Sequence, residues 1–172
     1  MKRSFAGVVC ALLFFFGASA PVRAQEASLA ERVATLEARE AIRELILAYG
    51  HALDRRDFVT FAGLFEEERG TWNGGFGSAT GRDAIFSMMD DMLGHAETPV
   101  EPTSHHVFTN ISISVDGAEA RATTRWIFVT PSESGEPRWV YLGHYDDRFV
   151  RQEGRWYFLE RTAFTDIPVQ DD

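Results

Sequence analysis

HHVFTNISISVDGAEARATTRWIFVT, residues 105–130, decides how the chain folds. Apolar and polar residues alternate through most of it, the period of a strand with one buried face. Asp116-Gly117 interrupts the alternation with the dipeptide that favours a tight hairpin turn. The pattern predicts strands over 104–115 and 118–130. It continues through 138–151 and 155–165, with turns at PSESGEP (131–137) and QEG (152–154). Four long strands joined by short turns form an antiparallel meander.

Upstream of this stretch the period is helical. Ser28-Leu29-Ala30-Glu31 has the form of a capping box. Leu29, Val33, Leu36, Ile42, Leu45, Ile46, Tyr49 and Leu53 then follow at helical spacing, which predicts one helix over 28–53. Its first two turns carry fewer large apolar groups and are expected to project beyond the domain. Asp57 is positioned to cap a second helix over 57–66. RGTWNGGFGSATG (69–81) reads as a short strand and a glycine-rich hairpin or loop. Its glycine spacing is not a dinucleotide fingerprint, which needs a βαβ unit around it. A third helix is expected over 82–96, capped by Asp83 or a neighbour, and 97–102 is an extended loop. Helices followed by a meander argue for an α+β fold. A strongly curved sheet wrapped around the long helix buries the apolar sides of both.

Residues 1–24 are expected to be a leader rather than part of the fold. Lys2 and Arg3 precede an apolar run from Phe5 to Ala20, and Val22-Arg23-Ala24 gives a small-x-small cleavage signal. The apolar run is shorter than the roughly 20 residues of a membrane span. A cut after Ala24 leaves residues 25–172 as one domain, periplasmic or secreted, with no stable membrane insertion after cleavage. Losing Lys2, Arg3 and Arg23 takes the formal charge from −9 to −12. Such an acidic chain is a poor partner for nucleic acid or an anionic membrane. Cys10 and Lys2 are the only cysteine and lysine. Both fall in the leader, so the domain has no disulfide, thiolate nucleophile or Schiff-base lysine.

His105 and His106 are the first chemically suggestive pair. Neighbours on a strand point to opposite faces, so the two cannot jointly hold one metal ion from a regular strand. No His-x-His or His-Glu-x-x-His spacing supports a metal site elsewhere. Strict alternation puts His106, Phe108, Asn110, Ser112 and Ser114 on one face. His105, Val107, Thr109, Ile111, Ile113 and Val115 fall on the other, more apolar face. An inward His106 then requires either a sheet that is apolar on both sides, one side forming a dimer contact, or a β-bulge that shifts the register.

YGHALDRRD, residues 49–57, is the second suggestive stretch. Tyr49 and Asp54 are about 140° apart on a straight helix. They share a pocket only where the helix ends or bends near Leu53. A partly desolvated carboxylate there, with a histidine to relay its proton and a tyrosine to polarise a carbonyl or leaving group, is general acid–base equipment. The competing reading has Asp54 capping the next helix or pairing with Arg55 or Arg56.

Four motifs occur in order: Y-x-x-x-x-D at Tyr49 and Asp54, G-R-D-A-I at 81–85, S-H-H-x-x-T-N at 104–110, and G-x-Y-D-D-R-F followed by G-R-W-Y-F over 143–158. Together they resemble the SnoaL-like family, over about residues 29–166. The resemblance implies the cone-shaped nuclear transport factor 2-like fold. It also implies the company of dehydratases, a dehydrochlorinase and polyketide cyclases, alongside many non-enzymatic members. It carries an aspartate–histidine dyad onto Asp54 and His106, and a pocket tyrosine onto Tyr49. An acidic residue and an arginine used by one dehydratase of the family fall near Thr130 and Thr165 and are unmatched.

Asn110, Trp126, Phe61, Trp72, Tyr145 and Phe108 are the further candidates for contact with a substrate, with Arg125, Tyr141 and His144 behind them. The expectation is a cofactor-free, metal-free lyase or isomerase of dehydratase type, acting on a small hydrophobic or cyclic molecule. The alternative is a module of the same fold that binds such a ligand without chemistry. A homodimer through the outer face of the sheet is the expected assembly.

Overall fold

The computed structural model describes residues 28–168. The expected leader, 1–24, lies outside these residues. Helix α1 (Leu29–Asp54) begins at the capping box: the Ser28 amide donates to Glu31 Oε2 at 2.7 Å, and the Glu31 amide donates to Ser28 Oγ at 3.2 Å. Such a cap contributes about 0.5–2 kcal/mol. Ala38 is the first buried residue of α1, and Leu29, Val33 and Leu36 before it are exposed. The first turns therefore project past the sheet, as their composition predicts. The helix ends at Asp54, and Arg56 turns the chain away with φ 55°.

Helix α2 (Phe58–Gly63) is capped by Asp57, which accepts from the Thr60 amide at 3.0 Å. It is shorter than the predicted 57–66. The carbonyl of Leu64 and the amide of Glu66 bond the backbone of Phe158, so this segment leaves the helix to lie along the sheet. Of the hairpin or loop expected over residues 69–81, the structure has the hairpin, β1 (Thr71–Gly74) and β2 (Gly77–Thr80). The N-cap of helix α3 (Arg82–Leu93) is Gly81, a neighbour of Asp83, and makes no side-chain capping bond. The helix stops three residues earlier than predicted, where Gly94 adopts φ 86°.

The meander comprises β3 (His105–Asp116), β4 (Glu119–Pro131), β5 (Pro137–Gln152) and β6 (Arg155–Ile167), within two residues of each predicted bound. The sheet order is β2-β1-β6-β5-β4-β3, antiparallel except for the β1–β6 pair. Register shifts interrupt all three long pairings. Such irregularities bend a sheet, and this one is open and curved. Its inner face closes on Ile42, Ile46 and Tyr49 of α1, Phe58 and Phe61 of α2, and Ile85 and Met89 of α3. Each large side chain so buried stabilises the fold by about 1.5–3 kcal/mol.

The conflict over His106 is resolved by a bulge. The β3–β4 register shifts between Thr109 and Ser112, and Asn110 takes φ 50°. Before the bulge His106 and Phe108 are the inward residues; after it Ile111, Ile113 and Val115 are. The extra residue is Asn110, a type that tolerates the left-handed region better than most.

Two glycines allow close approaches. A Cβ on Gly50 would lie 2.7 Å from the Phe108 ring, so Gly50 lets α1 lie against β3. A Cβ on Gly143 would meet the Trp126 ring at 2.4 Å and the Phe164 carbonyl at 2.0 Å. Among the described residues no helix is long and apolar enough to cross a membrane.

Candidate active site

The C-terminal end of α1 and the start of β3 meet at one wall of a cavity of about 470 Å³. Asp54, the last residue of the helix, aims its carboxylate at His106. Oδ1 lies 2.6 Å from His106 Nδ1, and Oδ2 accepts from the His106 backbone amide at 2.9 Å. Both side chains are largely buried, 8% exposed for Asp54 and 15% for His106. An ionised carboxylate only accepts, so the bonded Nδ1 carries a proton. In the neutral ring this makes Nε2 the basic nitrogen. Asp54 thus fixes both the tautomer and the orientation of the ring, through two bonds to one residue.

The imidazole sits among aromatic rings, with centroid distances of 4.7 Å to Phe128, 6.2 Å to Trp126 and 6.3 Å to Phe108. The strand register explains this wall. Phe108 pairs with Trp126, and Trp126 with Gly143; His106 pairs with Phe128, and Phe128 with Tyr141. Gly143 leaves the space over which the Trp126 ring lies.

Tyr49 lines the same cavity about 1.4 helical turns before Asp54. Its hydroxyl accepts from Trp72 Nε1 at 3.0 Å. Its ring packs against Phe61 at 4.7 Å and Tyr145 at 5.6 Å. Burial pushes the Tyr49 phenol above its ordinary value, against the pull of Arg161 and of the Trp72 hydrogen bond. Burial holds Tyr145 well above the phenol range, and the neighbouring Tyr49 adds to this. Both phenols are protonated at neutral pH. The cavity therefore offers a basic imidazole nitrogen and a neutral hydroxyl within apolar walls. Among the described residues no three of His, Cys, Asp and Glu converge as metal ligands.

Residues 34–162 match the sequence profile of the SnoaL-like domain. The chain belongs to the SnoaL-like family. No curated protein sequence matches this SnoaL-like chain. Solved structures show the same fold. A nuclear transport factor 2-like protein with a cystatin-like fold from Novosphingobium aromaticivorans is 25% identical, with TM-score 0.68, covering 82% of this chain and 90% of its own. A protein of unknown function from Mycobacterium tuberculosis is 20% identical, with TM-score 0.69, covering 81% and 78%. A hexachlorocyclohexane dehydrochlorinase, LinA type 2, is 16% identical, with TM-score 0.65, covering 78% and 89%.

Of the residues singled out from sequence, Asp54, His106, Tyr49, Trp72, Trp126, Tyr141 and Tyr145 line the one cavity. Five do not. Phe61 is fully buried behind Tyr49, and Phe108 stands behind the wall against Gly50 and Tyr145. Asn110 is exposed, because the bulge that it creates turns it off the inner face. Arg125 and His144 point outward, where both engage Asp166. Asp54 neither caps α2, a role that Asp57 fills, nor pairs with its arginine neighbours.

Phe128, Phe76 and Arg56 line the cavity without having been singled out. Phe128 was legible in principle, since it is in phase with Trp126 on β4. Phe76 was not, because it sits at a hairpin tip and stacks on Trp72 at 6.2 Å. Thr165, where an arginine was looked for, also lines the cavity.

Proposed function

We propose that this SnoaL-like protein is a lyase or isomerase of dehydratase type, acting by acid–base chemistry on a small hydrophobic or cyclic molecule. The observation that carries the reading is the 2.6 Å bond between Asp54 and His106 in the wall of an apolar cavity that Tyr49 also lines. His106 Nε2 takes a proton from a carbon next to a carbonyl or leaving-group carbon, and Asp54 stabilises the imidazolium that results. Tyr49 donates to the oxygen on which charge develops. The protonated imidazole then delivers its proton to the departing hydroxide, or back to another carbon of the substrate. Acid–base groups so placed contribute about 10²–10⁴-fold each. The hexachlorocyclohexane dehydrochlorinase among the structural neighbours supports an elimination. The cavity volume suits a one- or two-ring molecule, within the range of about 300–1,000 Å³ that small-molecule sites occupy.

The test is a screen of β-hydroxy and β-halo carbonyl compounds and cyclic halides for elimination, with Asp54→Asn and His106→Ala in parallel. Turnover that depends on both residues supports the reading. Turnover that survives both changes ends it, and saturable binding with no turnover by the parent returns the cavity to a ligand-holding role. A second copy of the chain is proposed on the outer face, where Trp139, Phe164 and Ile167 are exposed; sedimentation equilibrium measures it.

A further inference from the structure

Beneath the cavity lies an ion pair that the acid–base scheme does not use. Arg161 and Asp147 have no exposed side-chain surface. They are direct cross-strand neighbours on β6 and β5, and Trp72 on β1 is the neighbour of Arg161 on its other side. Arg161 Nε and Nη2 donate to the two Asp147 oxygens, both at 2.7 Å. This is the forked geometry of an ionised pair. Burial pushes the Asp147 carboxyl up, against the pull of the guanidinium. Burial also opposes the charge on Arg161, and the Asp147 carboxylate, with smaller help from Tyr49 and Tyr145, more than restores it.

As a fold device the pair is expensive. Well-packed apolar side chains usually stabilise such a site as well or better, and Arg161 Nη1 has no hydrogen-bond partner. Its surroundings point to another role. The guanidinium carbon lies 4.0 Å from the Tyr49 ring centre, 4.2 Å from Tyr145 and 4.2 Å from Phe158. Two of these three rings are the phenols that line the cavity.

A phenol oxygen has one proton and two lone pairs. Trp72 Nε1, which can only donate, occupies one lone pair of Tyr49. Because Trp72 only donates, the Tyr49 proton is not spent on it and is available to the cavity that Tyr49 lines. A cation against the ring face favours negative charge on that ring, and at Tyr49 the pull of the nearby guanidinium exceeds the opposing push of the Asp147 carboxylate.

We propose that Arg161, held by Asp147, is a positioning residue that acts through Tyr49, making its hydroxyl a stronger hydrogen-bond donor to an oxygen in the cavity. The catalytic purpose of this arrangement rests on the elimination reading above; the effect on Tyr49 does not.

The experiment replaces tyrosine with 3-fluorotyrosine and follows each phenol by ¹⁹F NMR as pH rises. The chain has four tyrosines, so four resonances are assigned by single Tyr→Phe changes. In the parent, Tyr49 is expected to titrate below Tyr145. In the double variant Asp147→Asn/Arg161→Gln, which keeps a neutral hydrogen-bonding pair, Tyr49 is expected to become at least about tenfold weaker as an acid, the charge lying close to the ring in a low-dielectric site. Tyr141 and Tyr157 should not move.

An unchanged Tyr49 titration in a double variant with parental resonances elsewhere overturns the proposal. So does a parent in which Tyr49 titrates with or above Tyr145, a measurement that needs no variant and covers the case in which the double variant fails to fold. Neither outcome depends on turnover, so failure of the elimination reading is seen separately. Where turnover exists, the double variant is expected to lower kcat about tenfold or more with KM within a factor of about two, the signature of an interaction made mainly in the transition state.

Discussion

Two aspartate–histidine pairs occupy the two faces of one sheet. On the inner face Asp54 meets His106 at 2.6 Å; on the outer face Asp166 meets His144 at 2.8 Å, again through Nδ1. By sequence chemistry and distance the pairs are nearly equivalent. What differs is everything around them. Asp54 gives both oxygens to His106, and aromatic rings and a cavity surround the imidazole. Asp166 divides its oxygens between His144 and the Arg125 guanidinium, and about a quarter of each partner's side chain remains in water, 28% for Asp166 and 27% for His144. A carboxylate already neutralised by arginine and solvent has little charge left with which to stabilise an imidazolium. A histidine–carboxylate pair thus becomes a candidate catalyst through exclusive pairing and desolvation, rather than by being a pair.

The comparison is most easily broken by activity. Once a substrate is in hand, Asp54→Asn is expected to lower turnover by about 10²–10⁴, while Asp166→Asn leaves it within about twofold. Equal losses would show that the two faces are not chemically distinct. Packing gives the next largest contrast. Gly143→Ala drives a methyl into the Trp126 ring and the Phe164 carbonyl. It is expected to destabilise the protein by about 1–3 kcal/mol. Phe164→Ala, on the exposed face beside His144, should cost less than about 1 kcal/mol. Urea melts of the two variants measure the difference.

The Asp166→Asn variant should be smaller still in stability, about 0–1 kcal/mol, as for other solvent-screened ion pairs. The last effect concerns a carboxylate outside both pairs and serves as their control. Glu66 accepts from the amides of Arg69 and Glu68 at 2.6 and 3.1 Å and from Gln152 at 3.0 Å. Its carboxyl is held below the usual range chiefly by the Arg69 amide. A lowered folded value means that stability is gained above the ordinary carboxylate range and lost as pH falls through the lowered one. Glu66→Gln should therefore lower stability at neutral pH and flatten the acid limb of a stability–pH curve, the two proteins converging at low pH.

Much of the fold was readable because it rests on period. The change from helical spacing to alternation at about residue 104 marks the helix-to-sheet boundary, and Asp116-Gly117 and Gln152-Glu153-Gly154 mark two of the meander's turns. The α2 boundary was not readable, since Leu64 and Phe65 continue the helical pattern and only the distant backbone of Phe158 draws them out of it. The inner pair was anticipated through motif resemblance rather than through spacing, because 52 residues separate its members. The position of the Asp147–Arg161 pair under Tyr49 was not readable, because it follows from the β1–β6–β5 register, which local sequence does not encode. Trp126 and Tyr145 could be placed by alternation; Asn110 could not, because it is itself the break in alternation.

Asn110 also bears on how the protein can change. A strand is a two-state counter: each residue inverts the parity of all that follow. One extra residue between Phe108 and Ile111 lets β3 keep one parity for the aromatic wall at His106 and the opposite parity for the aliphatic core at Ile113. Without it, either the histidine or the isoleucines would face solvent. The site end and the core end of β3 are thereby written in separate frames. Substitutions in the wall, which would reshape the cavity, need no matching changes in the residues that hold the sheet to the helix.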